Sequence, residues 1–436
     1  MKTVVLFAAV FLLVSEALIL RKPTKPRVEV ENGYKTYSGY SVIRVIPHTV
    51  DQIKAVVEME QHLGFEPDFW KPPKALRKSI DIMISPDKRA EVTIYLKKAG
   101  LVPIIKIADV GKHVAVDKVD IDGYQPNQNL ATDPDSFDFY KYHPFTEIMS
   151  YIEAVATKYS SFVSIASLGK SLEGRDMKYL KIGYPSQSKK NALFIDAGIH
   201  AREWIAPATA LYTINQLVTN SSYTDLLKAI DIYIAPSINP DDRMWRKSRS
   251  GPRQGCYGAD INRNFAYKWM VSGASTNPCS ETYAGPSAMS EIEAKNLANF
   301  IVPHNDTIKA YLTLHSYGED IVYPWGYTTG TYPPDVADLK ALGREMYNAI
   351  IAIHGTQYLV GNSGDALYPA AGASDDYSKS VGVKYVYTVE LRPGDGDNDD
   401  DDWYGFELPA KFIKPTAEEA FPGLLAAANR VQNGPF

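Results

Sequence analysis

Cysteine is scarce: two in 436 residues, Cys256 and Cys279, which excludes a small scaffold stapled by several disulfides. Long apolar runs are missing as well. The run that opens the chain, Val4 to Val14, falls short of the roughly 20 residues a bilayer-spanning helix needs, and no later segment is long enough. Positive charge is not in excess, with 46 Lys and Arg against 51 Asp and Glu, so there is no nucleic-acid footprint. No internal repeat shows. What is present is a globular composition, 45% hydrophobic and 22% charged, on a chain long enough for one large domain and a smaller one.

The opening run has another meaning. Lys2, the apolar stretch and the small residues Ser15 and Ala17 make residues 1–17 a secretory signal, with Leu18 first after cleavage. A secreted chain makes Cys256 and Cys279 a disulfide, closing a loop of about 24 residues for roughly 3 kcal/mol. Two buried thiols are the other reading.

Residues 18–111 read as a small α/β unit. SVIRVI is a strand, Val50 to Leu63 an amphipathic helix, FEPDFW and IDIMI strands, Ala90 to Ala99 a second helix and LVPIIKI the last strand. That order predicts an open sheet with two helices on one face. The unit holds no His, Cys or acid cluster of metal-binding type. Residues 112–136 are rich in Asp, Asn and Pro and read as an exposed linker, where a trypsin-like protease would cut after Lys112 or Lys118.

Residues 137–436 alternate helix and strand. Phe137 to Tyr159 is expected as a helix, followed by strands at FVSIASLG, DMKYLKIGY and NALFIDAG, a helix over Ile205 to Val218 and a strand at DIYIAPSINP. Helices then fall at Glu291 to Phe300, Val336 to Ala352 and Thr416 to Val431, with strands at IKAYLTLHS and KYVYTVEL. The expected class is α/β: a mixed, largely parallel central sheet with helices on both faces.

The chemistry concentrates where NALFIDAG turns into a helix. Gly198 permits a sharp turn, and His200 and Glu203 follow at the strand end, where ligands gather in such sheets. An imidazole and a carboxylate three residues apart reach one zinc ion if a distant ligand completes the set and a position stays open for water. An HxxE pair alone is as readily an ordinary surface pair. His315, at the end of IKAYLTL, is the distant candidate, and Glu390 sits inside the apolar strand KYVYTVELR, where a carboxylate is costly to bury.

HAREW, DINRN from Asp260 to Asn264, LTLHSYG and YTVELRP occur in this order in one family, and from Tyr34 to about Asn433 the chain resembles the zinc metallocarboxypeptidases of the pancreatic and insect-gut procarboxypeptidase A/B type. The resemblance implies one zinc ion held by His200, Glu203 and His315, with Asp260 fixing the His200 ring. It implies Glu390 as general base, Arg246 as stabiliser of the oxyanion, and Asn262 and Arg263 as the clamp for a free C-terminal carboxylate. Tyr368 matches a mobile tyrosine that closes over the bound end. Arg202 and Arg249 either assist substrate binding or are solvated arginines. The first unit corresponds to an activation segment that covers the active site until cut away, so the implied protein is a monomeric digestive zymogen of the gut lumen. Its partners would be peptide C-termini and an activating trypsin-like protease, with neither nucleic acid nor membrane.

Two features depart from the pattern. The family carries several more residues between its Asn-Pro and its Trp-Arg-Lys run, whereas Ser237 to Pro240 is followed at once by DDRMWRKSRS. That leaves open a zinc-bearing protein that binds peptide C-termini with little turnover. After Glu390 comes an acidic run, Asp395 to Asp402, either a solvated face or a device that steers cationic peptide ends. Specificity is also divided. Asp375 stands where basic-specific members carry an aspartate, while Gly326 looks like the aromatic-preferring type and Ser363 decides for neither. The reading adopted is release of Lys and Arg, with an A-type preference for aromatic or aliphatic ends as the alternative.

Overall fold

Residues Ser41–Val45 (β1) serve two interfaces at once. Ile43 and Val45 join a core with Val56, Met59, Val92 and Leu96, whereas Val42 joins Trp70, Met83 and Ile107 on the opposite face. Period-two alternation sends successive side chains to opposite sides, so a strand buried throughout must be covered twice. The computed structural model describes residues 30–31, 34–35, 37–64, 67–73, 76–112, 133–241, 245–394, 403–434 and 436. The signal at 1–17, most of the linker with Lys118, and the acidic run 395–402 lie outside the described residues.

β1 pairs antiparallel with Ile80–Ile84 (β3) and Ile104–Ile107 (β4), and β3 also pairs with Asp68–Lys71 (β2), giving the order β2-β3-β1-β4. Helices Val50–Val57 (α1), Met59–Leu63 (α2) and Arg89–Lys98 (α3) cover one face. The single helix expected from Val50 to Leu63 is therefore two pieces, separated at Glu58, whose ψ of 5° is not helical. A capping box between Thr49 and Gln52 starts α1, and Gly64, at φ 66°, ends α2 in the left-handed region.

The larger sheet comprises Val163–Lys170 (β5), Asp176–Ile182 (β6), Ala192–Ala197 (β7), Asp231–Ala235 (β8), Ile308–Gly318 (β9), Asp320–Tyr323 (β10), Leu359–Asn362 (β11) and Tyr385–Gly394 (β12). Its order is β11-β10-β12-β9-β7-β8-β6-β5. The middle strands β12, β9, β7 and β8 run parallel, and antiparallel pairs flank them, so the sheet is mixed with a parallel centre, as expected. One face packs Phe145–Lys158 (α4), Ile205–Thr219 (α5), Val336–His354 (α6) and Ile413–Asn433 (α7); the other packs Ile292–His304. α4 begins at Phe145 rather than Phe137 because Pro144 occupies the N-cap in an extended conformation, and Phe137 and Phe139 pack on Tyr151 instead.

The outer face of the small sheet lies on the large domain. Trp70 meets Phe406 edge to face at 5.4 Å, in a cluster with Val42, Met83, Ile107 and Trp204, and the Arg44 guanidinium lies 5.3 Å from the Trp403 ring centre. Arg44 and Lys106 both pair with the buried Asp81 carboxylate, at 2.7 and 2.5 Å.

Candidate active site

Three adjacent parallel strands deliver the sequence candidates to one edge. β7 is apolar except for Asp196, a fully buried carboxylate that accepts Tyr311 Oη at 2.6 Å and Thr313 Oγ1 at 2.7 Å. Burial pushes its carboxyl up to about 6. Sequence reading did not single it out, although an acid inside an apolar strand was the available signal. Past Ala197 the chain reverses at Gly198, φ 70°, and places His200 and Glu203 before α5. His315 on β9 stands in register with Glu390 on β12.

His200, Glu203 and His315 converge. One ligand atom from each lies within 4.8 Å of the others, and all three residues are buried. Nδ1 of His200 is 2.7 Å from Glu203 Oε1, and Nδ1 of His315 is 2.9 Å from Glu203 Oε2. Two imidazoles and one carboxylate aimed at a common point, with a cavity on the remaining side, match the donor set of a zinc site that keeps a position open. Burial alone would raise the Glu203 pKa, but the two flanking imidazoles outweigh it and hold the carboxyl below its usual range.

Asp260 joins this cluster to Arg246. Its Oδ1 lies 3.0 Å from His200 Nε2 and accepts the Asn262 amide at 2.9 Å, while Oδ2 accepts Arg246 Nε and Nη2 at 3.1 and 2.9 Å. Despite complete burial, Arg246 and His200 keep the Asp260 carboxyl well below the ordinary value. The carboxylate thus contacts both the His200 ring and the Arg246 guanidinium, the second a link the sequence did not disclose.

A cavity of about 220 Å³ joins these groups. Its walls include the three converging residues with Glu390, Arg246, Asn262, Arg263, Tyr368, Ser363, Asp375 and Thr388. Arg263 is held by Gly273 O and Asn262 O at 2.9 and 2.8 Å, and Asn262 Oδ1 accepts the Ser374 amide. Asp375 is 3% exposed and accepts Thr388 Oγ1 at 3.1 Å and the Asp376 amide at 2.7 Å. Tyr368 stands on the rim. Pro67, Phe69, Trp70, Lys71 and Pro72 of the small domain complete the wall.

Two sequence candidates take other places. Gly326 stands behind the wall: its amide donates to Asp376 Oδ1 at 2.7 Å, and a Cβ there would come within 3.1 Å of Ser363 Oγ. Arg249 is off the cavity, 5.3 Å from the Trp245 ring centre and paired with Glu173. Arg202 lines the cavity but is ion-paired to Asp68. Cys256 and Cys279 are disulfide-bonded.

An α/β sheet carrying a His, Glu and His cluster at its parallel C-terminal edge, with a carboxylate beside it in a cleft, defines a metal-dependent hydrolase. The zinc carboxypeptidase family model matches residues 148–423, and the carboxypeptidase activation peptide model matches residues 43–115. The chain is 45% identical over 308 residues to carboxypeptidase B of Astacus astacus, covering 68% of this chain and 99% of that relative. Mouse carboxypeptidase A2 is 35% identical, over 92% of this chain and 96% of the relative. Carboxypeptidase A of Helicoverpa armigera superposes with a TM-score of 0.79 at 29% identity, covering 91% of this chain and 98% of that one. Thrombin-activatable fibrinolysis inhibitor gives 0.78 at 31%, covering 91% and 99%. The chain belongs to the zinc carboxypeptidases: it is a metallocarboxypeptidase with an activation propeptide, and its family takes one catalytic zinc ion. Among the described residues His200, Glu203 and His315 are the cluster that fits it.

Proposed function

We propose that this chain is the secreted precursor of a carboxypeptidase that releases C-terminal Lys and Arg. The observation that carries the preference is the buried Asp375 carboxylate in the wall of the cavity that also contains the metal-type cluster. An entering ammonium or guanidinium would pair with it, and an apolar side chain would leave it buried without a counter-charge. The carboxypeptidase B name of the crayfish relative agrees with this reading.

In this scheme Arg263 and Asn262 hold the free carboxylate of the peptide, for which a planar guanidinium suits two oxygens at once. Zinc, when bound by His200, Glu203 and His315, supplies Lewis-acid polarisation and makes water more acidic. Glu390 takes the proton of the attacking water and delivers it to the leaving amine. Arg246 faces the oxyanion as it forms, with Asp260 fixing its direction. Tyr368 closes over the bound end. Residues 18–111 are the activation domain, removed by a cut within 112–136, and the chain acts outside the cell. No helix among the described residues is long and apolar enough to cross a membrane.

Two matched peptides, one ending in Arg and one in Phe, test the proposal after trypsin treatment and with a chelator control. Chelator-sensitive release of Arg over Phe is expected. Release of Phe in preference would overturn the assignment of Asp375, and no release from either would favour a protein that only binds peptide ends.

A further inference from the structure

The scheme above leaves a buried cation unused. Lys247 is 2% exposed, and its Nζ donates to Pro278 O and to Ser280 O, both at 2.9 Å. The ammonium therefore grips the backbone on either side of Cys279, which is bridged to Cys256. The residues that follow, Glu281 and Thr282, line the active-site cavity.

Lys247 is also anchored by its own backbone. Its carbonyl accepts Asn239 Nδ2 at 3.0 Å. One residue on, the Ser248 amide donates to Ala259 O at 2.8 Å and Ser248 Oγ accepts the Ala259 amide at 3.0 Å. These contacts set the short segment beside Asp260, where Arg246 makes its two bonds to Oδ2. A buried ammonium is costly unless carbonyls meet its donors, so moving the 278–280 backbone would draw Lys247, and the neighbouring Arg246, with it.

We propose that Lys247 is a positioning residue for Arg246, and that the Cys256–Cys279 disulfide acts through Lys247 to aim that guanidinium. The inference rests on the reading of Arg246 as the group that meets the oxyanion. Displacing a catalytic group by about 1 Å costs on the order of 100-fold in rate, so a partial displacement is worth roughly tenfold or more.

The test is a double-mutant cycle in the trypsin-treated full chain: K247M, R246A and both together, assayed on an Arg-ended peptide with zinc content measured in parallel. K247M is expected to lower kcat roughly tenfold or more with KM changed by less than about threefold, and to add nothing further in the R246A background. C256S/C279S, with Lys247 intact, is expected to lower kcat in the same way and non-additively with K247M. Should K247M fail to fold, this pair carries the test, and an unchanged kcat overturns the proposal. An equal loss in the wild-type and R246A backgrounds also overturns it, as does no loss from K247M where R246A is slow. R246A at full kcat would overturn the reading of Arg246 and this inference with it.

Discussion

Asp68 of the activation domain and Arg202 of the turn between β7 and α5 are ion-paired, with Arg202 Nη1 3.1 and 3.3 Å from the two carboxylate oxygens. Arg202 lies between His200 and Glu203 in the chain, so the small domain grips the turn that carries two of the three converging residues. The guanidinium is 3% exposed and stacks on Phe406, whose ring also meets Trp70. Breaking a buried pair from one side leaves an uncompensated charge, at about 3–5 kcal/mol. The D68N chain, left uncleaved, should therefore hydrolyse a short peptide at least roughly tenfold faster than the uncleaved wild type. Equal rates from the two zymogens would show that this pair does not hold the domain in place.

Glu390 is half-buried on a strand whose neighbour contributes His315 at the same register. E390Q keeps shape and hydrogen-bonding reach and removes the carboxylate proposed as the base. Turnover in the activated chain should fall by about 100-fold to 10,000-fold, while zinc content and thermal midpoint stay near those of the wild type. Turnover within tenfold of wild type would place the base elsewhere.

Much of this site could be read in one dimension because strand ends announce themselves. An apolar run followed by Gly198 marks where β7 stops, and His315 and Glu390 stand out as polar residues in runs that otherwise bury. Partners far apart in the chain were hidden. Nothing local in DFWK indicates that Asp68 meets Arg202, 134 residues away. The four-residue strands β10 and β11 escaped for the same reason, since their order comes from pairing with each other and with β12. The helix start at Phe145 was a misjudged local signal: a proline before a helical run favours an extended residue, and the aromatic stretch ahead of it packs as a loop.

A pH-dependent stability term resides outside the cavity. Glu293 is 1% exposed; its Oε1 accepts the Leu172 amide at 2.8 Å and its Oε2 is buried without a hydrogen-bond partner. Burial, reinforced by Asp241 and Glu291, pushes its carboxyl up to about 7. Because the folded-state value lies above the unfolded one near 4.5, the folded chain holds this proton more tightly. Its contribution is fully present below about 4.5 and is lost as pH rises through about 7, amounting to at most about 3 kcal/mol. E293Q should therefore gain thermal midpoint relative to wild type between pH 5 and pH 8. A difference between the two melting curves that stays constant over that range would contradict the assignment.

In the proposed function Asp375 selects the C-terminal residue, and its environment would make that selection sensitive to pH. It lies in the first turn of the helix Ser374–Ser380, with Asp376 beside it accepting the Gly326 and Tyr327 amides at 2.7 and 2.9 Å. Burial raises the Asp375 pKa, and burial with the Asp375 charge raises that of Asp376 further, so the two carboxylates oppose each other's ionisation. A bound guanidinium would offset that repulsion. D375N keeps the acceptor for Thr388 and removes the charge, so kcat/KM for an Arg-ended peptide should fall about 100-fold while that for a Phe-ended peptide changes little. In the wild type the folded value lies above the ordinary 3.8, so the charged form is the one lost on acidification. The Arg-to-Phe ratio of kcat/KM should therefore decline as pH falls and should be flat in D375N. A ratio that is independent of pH in the wild type, or unchanged by D375N, would assign the selection of the C-terminal residue to another part of the wall.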